Sequence, residues 1–198
     1  MKTIKTSFPI LMITLAGLFV AGGLQKATAQ DGVSKGKPAV TLTEYGDFQC
    51  PACGYYYQMV EKLRDEFGDR LQVEFHHFPL KMHPYAPLAS RAAEAARNQG
   101  KFWEMYDLLY KNQATWSQGN AQATFIGYAR QLNLDMDKFK DQLNSSELQR
   151  RIMTEKEQGI KKGINSTPTF FLDGMEINNP RTYSEFKQLI ESKLKNTD

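Results

Sequence analysis

Between residues 39 and 45 apolar and polar side chains alternate, with Val40, Leu42 and Glu44 on one face and Thr41, Thr43 and Tyr45 on the other. That period of two predicts a strand. The period then lengthens: Tyr56, Val60, Leu63 and Phe67 recur at helical spacing, which predicts a helix from the two cysteines to about Phe67, closed by Gly68-Asp69. Residues 71–78 read as a second strand, stopped by Pro79. Strand, helix and strand of these lengths make a βαβ unit, whose strands should be parallel with a right-handed crossover. The pattern next turns helical, at 86–99, 101–111, 121–132, 135–143 and 146–162, and Phe102, Trp103, Tyr106 and Leu109 read as core packing. Strand character returns at 169–173, the pair Asp173-Gly174 signals a hairpin turn, and 175–177 is the returning strand. A last helix at 182–195 carries Tyr183, Phe186, Leu189, Ile190 and Leu194 on one stripe. The expected fold class is α/β, one domain over 39–198 split by a helical insertion at about 84–162.

The N-terminal pattern is different in kind. Lys2 and Lys5 precede an uncharged, mostly apolar stretch from Thr6 to Leu24, followed by Ala27-Thr28-Ala29 with small residues at the spacing a signal peptidase reads. Residues 1–29 are therefore read as an export signal, cleaved after Ala29 or kept as an uncleaved anchor, and 30–38 as a polar linker. The residue directly after the cleavage position is Gln30 and not cysteine, which argues against a lipid anchor. The chain has 25 basic and 22 acidic residues; the leader holds Lys2, Lys5 and Lys26 and no acid, so the remainder carries 22 of each. That balance gives no case for nucleic acid or an anionic membrane surface as partner.

The only two cysteines stand at Cys50-Pro51-Ala52-Cys53, between the first strand and its helix. A disulfide across so short a ring would stabilise by only roughly 2 kcal/mol, against about 4.7 for a loop of ~100 residues. A structural zinc site commonly needs a second such pair or correctly spaced histidines. His76 and His77 are adjacent in a strand and point to opposite faces, so with His83 they make a poor ligand set and no metal is expected. Redox dithiol chemistry is the favoured reading, with metal binding and an inert pair as alternatives. An exported, oxidising setting would suit it, since disulfides form and persist there.

A cysteine at a helix N-terminus has its thiolate stabilised by unpaired N–H groups and the helix dipole. Cys50 is at that end and is expected to be the exposed, attacking thiol. Cys53, one turn deeper, is expected to resolve the mixed disulfide. Glu44 falls on the core-facing side of its strand, where a desolvated carboxyl could relay a proton to or from Cys53, unless the sheet end lets it reach solvent. Pro168 opens the third strand, and a cis bond before it would leave the backbone of Thr167 free to bond an extended substrate.

Together, Glu44-Tyr45-Gly46-Asp47-Phe48-Gln49 before the CPAC motif, His77-Phe78-Pro79-Leu80, His83-Pro84, Gly100-Lys101-Phe102-Trp103 and Thr167-Pro168-Thr169-Phe170-Phe171 closely resemble DsbA-like thiol-disulfide oxidoreductases of the BdbD type. The resemblance spans nearly all of the chain beyond the leader. It implies a thioredoxin fold interrupted by a helical domain, a cis bond before Pro168 facing the dithiol, and Glu44 at the family's buried acid. It further implies an exported, periplasmic disulfide donor without cofactor, expected to be monomeric, whose partners are newly exported cysteine-containing proteins. A membrane quinone-linked protein of the DsbB or vitamin-K-epoxide-reductase-like type would reoxidise it. One departure stands out: Ala52 occupies the position where the best-known members have histidine, so it offers neither charge nor hydrogen bond to the Cys50 thiolate.

Two rivals follow from the same residues. One is the reverse chemistry, a disulfide reductase or isomerase, the isomerase being weaker because only about ten residues separate Ala29 from the first strand, too few for a dimerisation domain. The other is a non-catalytic metal- or client-binding protein that uses the surface beside Pro168.

Overall fold

A computed structural model describes residues 40–195. The export signal and the linker expected at 1–38 lie outside the described residues. The strands are β1 (Val40–Gly46), β2 (Leu71–His77), β3 (Thr169–Leu172) and β4 (Met175–Ile177), in sheet order β2-β1-β3-β4. β1 and β2 run parallel in the register Val40 to Leu71, as the βαβ spacing implies, while β3 pairs antiparallel with β1 and β4 with β3. The hairpin between β3 and β4 turns on Asp173 (φ 50°) and Gly174 (φ 79°), the two successive left-handed residues that a two-residue turn of matching twist demands.

Helix α1 (Pro51–Phe67) buries Met59, Val60, Leu63 and Phe67 against the sheet. It stops at Gly68, whose φ of 51° turns its N–H back to the Arg64 carbonyl. Helix α8 (Tyr183–Leu194) brings Phe186 and Ile190 to the same core, where they meet Val40, Leu42, Phe170 and Leu172. Each such side chain contributes roughly 1.5–3 kcal/mol on burial.

Between β2 and β3 lie α2 (Ala86–Arg97), α3 (Phe102–Lys111), α4 (Gln113–Trp116), α5 (Ala121–Gln131), α6 (Met136–Leu143) and α7 (Ser146–Lys161). The expected helical insertion is present, with the single-turn α4 as an addition that the apolar pattern did not reveal. Its centre is α2, where Ala86, Ala89, Ala92, Ala93, Ala95 and Ala96 are all fully buried. Side chains this small let neighbouring helices approach closely. Helices α6, α7 and α8 start one residue after side-chain caps, Asp135, Ser145 and Thr182, each accepting from an N–H of the first turn.

One feature of the packing positions the site. Phe48, Cys50, Cys53, Tyr57 and Phe75 belong to the same buried cluster as Phe102, Met105, Tyr106, Leu109, Trp116 and Phe125 of the insertion. The start of α1 is therefore roofed by the insertion, whereas its end packs into the sheet core. Among the described residues, no helix is long and apolar enough to cross a membrane.

Candidate active site

Cys50 is the N-cap of α1, with extended backbone (φ −71°, ψ 122°) and Pro51 as the first helical residue. Its side chain thus stands off the helix end, where the first-turn N–H groups have no intrahelical partner. The two sulfurs are unbonded thiols. Cys53 is fully buried, and Cys50 is only 7% exposed. The expectation of an exposed dithiol needs correction here: the insertion packs over this helix end, so little of Cys50 reaches solvent.

The two thiols are driven apart electrostatically. The Cys53 thiol, as hydrogen-bond donor, together with the N–H groups of Cys53 and Ala52, pulls Cys50 down from 9.0 to about 5 against the opposing effect of burial. Burial first, then its donor role toward Cys50 and the nearby Glu44 carboxyl, push Cys53 well above the usual thiol range. Cys50 is a thiolate near neutral pH and Cys53 a thiol. That division of labour is what stepwise exchange requires.

Glu44, in the middle of β1, is fully buried. Desolvation is the main cause that lifts its carboxyl to about 8, partly offset by a hydrogen bond from Tyr106, with the Cys50 charge adding to the rise. Its Oε1 has no hydrogen-bond partner. An acid on the core-facing side of a strand could have bent out to solvent at the sheet end; here β2 and β3 flank it, pairing Phe75 and Phe170 beside it, and no such path exists.

The peptide bond between Thr167 and Pro168 is cis. The Cys50 thiol meets the Thr167 carbonyl at 3.5 Å, and the buried Thr167 side chain helps to lower the Cys50 thiol. Asn179 Nδ2 donates to the Pro168 carbonyl at 2.8 Å, which ties this turn to the loop after β4. Tyr55, more than half exposed just after the dithiol, donates its hydroxyl to the Arg181 carbonyl of the same loop.

Four side chains whose polar partners periodicity does not show shape the loop from Gly46 to Cys50 and the Glu44 carboxyl before it. The buried Asp47 carboxylate accepts from the N–H of Gln49 and of Leu80, both at 2.7 Å, and lies 2.8 Å from His83 Nδ1. Gln113 of α4 donates from Nε2 to the carbonyls of Phe48 (2.7 Å) and Cys50 (2.9 Å). Tyr106 of α3 donates to Glu44, and Tyr110 reaches the Asp47 carbonyl at 3.5 Å. Tyr106 lies on the stripe that read as core packing, and Tyr110 went unremarked; nothing in spacing announces a hydroxyl partner on another element.

The histidines have other occupations. His76 stacks on Tyr45, His77 is buried with Nε2 3.0 Å from Glu94, and His83 serves Asp47. Burial holds His77 down at about 4, so its ring is neutral. Among the described residues no group of three or more His, Cys, Asp or Glu side chains could hold a metal ion.

A family model described as thioredoxin matches residues 29–192. This chain belongs to the thioredoxin family. Its fold is DsbA-like: it is similar to alpha-DsbA1 of Wolbachia pipientis with a TM-score of 0.71 and 18% identity, covering 81% of this chain and 88% of that one. It also resembles oxidised BdbD from Bacillus subtilis (TM-score 0.68, 24% identity, 79% and 88% covered). A third relative is MdbA, a thiol-disulfide oxidoreductase from Corynebacterium diphtheriae (TM-score 0.66, 20% identity, 84% and 86% covered). Curated sequence relatives include the Na(+)/H(+) antiporter NhaA 1 of Salinispora arenicola, 40% identical over 136 residues, which are 68% of this chain and 20% of that protein. The NhaA antiporter of Herminiimonas arsenicoxydans is 36% identical over 138 residues, 70% of this chain and 21% of that protein. The chain thus spans about a fifth of the length of the curated relatives it matches.

Proposed function

We propose that this thioredoxin-family chain is an exported thiol-disulfide oxidoreductase that introduces disulfides into newly exported proteins through Cys50-Pro51-Ala52-Cys53. The observation that carries this reading is the contrast within one helical turn: a Cys50 thiol held at about 5 beside a buried Cys53 thiol pushed far up, above the buried Glu44 carboxyl.

In the oxidised protein, a client thiolate attacks Cys50 Sγ. The Sγ–Sγ bond breaks, Cys53 leaves with the electron pair and takes up a proton, and a client–Cys50 mixed disulfide forms. A second client thiolate then attacks the client's own sulfur, which closes the client disulfide and releases Cys50 as a thiolate. Two electrons have passed to the dithiol. A membrane quinone-linked protein of the DsbB or vitamin-K-epoxide-reductase-like type removes them. The Thr167 backbone beside Cys50 supplies groups that an extended client can bond, and Pro168, lacking an N–H, brings no proton to the sulfurs.

The same contrast supports a donor direction of transfer. A stabilised thiolate stabilises the reduced form, which makes the disulfide a stronger oxidant and favours the donor role over a reductase. Donors from the backbone and from Cys53 act on Cys50 although Ala52 contributes no side-chain group. Transport activity, named for antiporters about five times longer than the matched segment, is not carried over. Equilibration of the purified protein with reduced and oxidised glutathione tests the reading: a potential above the roughly −270 mV of thioredoxin supports a donor, and one at or below it supports a reductase.

A further inference from the structure

Tyr106 and Glu44 come from different parts of the fold, α3 of the insertion and β1 of the sheet, and both are 0% exposed. The Tyr106 hydroxyl donates to Glu44 Oε2 at 3.2 Å, while Oε1 is left with no partner. The titratable groups facing the carboxyl are Cys50 at the N-cap of α1, Cys53 within α1, and Tyr106 and Tyr110 from α3. The neighbouring strands present Phe75 and Phe170. A carboxyl with both oxygens unbonded could turn about its last side-chain torsion and offer either one. A hydrogen bond to Oε2 removes that freedom.

We propose that Tyr106 is a positioning residue for proton transfer between Glu44 and Cys53, its hydroxyl occupying Oε2 so that Oε1 alone exchanges the proton. The proposal rests on the oxidoreductase reading above. When a client thiolate attacks Cys50, the Sγ–Sγ bond breaks, Cys53 leaves with the electron pair and accepts the proton from Glu44 Oε1, and Glu44 becomes a carboxylate. In the reverse step Cys53 returns the proton as its thiolate attacks. Tyr106 gives up no proton in either direction, since burial pushes its ionisation well above the usual phenol range and keeps it a donor. Its bond is strongest to the charged carboxylate, so it eases the step that leaves Glu44 ionised.

Tyr106→Phe keeps the ring, with its edge-on contacts to Phe48 and Trp103, and removes only the hydroxyl. A carbon-13 NMR titration of the Glu44 carboxyl in the reduced protein should place the wild-type midpoint near 8. Tyr106→Phe should move it upward by about one pH unit, a tenfold change in the ionisation constant. The rate at which a peptide dithiol reduces the oxidised protein, corrected for ionisation of the attacking thiol, should show the same upward displacement. The alkylation midpoint of Cys50 should stay in place, which a general disturbance of the site would not allow. Glu44→Gln, with Tyr106 intact, should abolish the pH-dependent branch altogether. A Glu44 midpoint common to wild type and Tyr106→Phe, or a branch that survives Glu44→Gln, overturns the proposal and leaves the oxidoreductase reading standing. A wild-type protein that exchanges no disulfide with the peptide overturns that reading and the proposal with it.

Discussion

The thiol of Cys50 and the carbonyl oxygen of Thr167 lie 3.5 Å apart although 117 residues separate them in the chain. β1 delivers Cys50 to one edge of the site and β3 starts from the other, and because the two strands are paired antiparallel at Tyr45 and Thr169, the loop leaving β1 and the turn entering β3 end up side by side. A strand pairing thus brings the nucleophile to the backbone proposed to bind its client.

Reduced protein treated with iodoacetamide should be modified at Cys50 first. The rate should rise through about pH 5 as the thiolate forms and level off before neutrality, because Cys50 is held near that value while Cys53 stays protonated and buried. Mass spectrometry of digested protein reads the site directly. Preferential modification of Cys53 would sink the assignment.

The same displacement makes the stability of the reduced form pH-dependent. Cys50 has a folded value near 5 against an unfolded value near 9.0, so its contribution is complete above about 9 and is lost as pH falls toward 5. The disulfide form has no such group. Urea unfolding of both forms at pH 5 and pH 7 should show the reduced form gaining on the oxidised one at the higher pH; an equal difference at both would contradict the depressed thiol.

Cys53→Ala should accumulate mixed disulfides with client proteins, since the attacking thiol remains and the resolving one is gone. Cys50→Ala should form none. Non-reducing gels of a cell extract exposed to each variant separate the two, and equal trapping would mean that the cysteines have no distinct roles.

Gly54 should resist replacement for a reason outside its own helix. Glycine to alanine within a helix ordinarily stabilises by roughly 0.5–1 kcal/mol. A Cβ on Gly54 would stand 2.7 Å from Gln113 Oε1, and that side chain cannot swing aside without releasing the carbonyls of Phe48 and Cys50. Gly54→Ala should therefore destabilise, by about 1–3 kcal/mol for the two freed carbonyls. In a Gln113→Ala background the same change should be neutral or stabilising. Chemical denaturation of the four proteins in the cycle checks the sign in each background.

Ala52→His should make the protein more oxidising, since a donor beside Cys50 further favours the thiolate and hence the reduced form. One hydrogen bond of about 1.4 kcal/mol corresponds to roughly 30 mV in this two-electron couple. Glutathione equilibration of wild type and variant measures it, and an unchanged or lower potential would show that this position does not act on Cys50.

Local signals announced most of the elements and the chemistry at their junctions. Alternation at Val40 to Tyr45 depends only on neighbouring residues, as does the helical stripe from Tyr56 to Phe67, and the order of strand, dithiol and helix sets Cys50 at a helix start before any long-range contact is known. The core-facing side of β1 was legible too, but whether Glu44 stayed buried or reached solvent at the sheet end was decided only by β2 and β3 flanking it.

What local pattern could not contain is which groups from distant segments converge on that start. Tyr106 and Leu109 look alike to periodicity, as two buried positions on one stripe, yet only one carries a hydroxyl that meets a carboxyl group 62 residues away. Gln113 lies in a single-turn helix with no apolar period to flag it, and the buried state of Cys50 depends on the insertion closing over α1. Each of these is a contact between elements whose relative placement is decided by the packing of whole faces, above all the all-alanine centre of α2 and the aromatic cluster around Phe48. The chain's own order determined which residues stand at the helix start, and only the tertiary packing decided how dry that start is, which hydrogen bonds surround it, and therefore how far its acids and thiols are displaced from their ordinary ionisation.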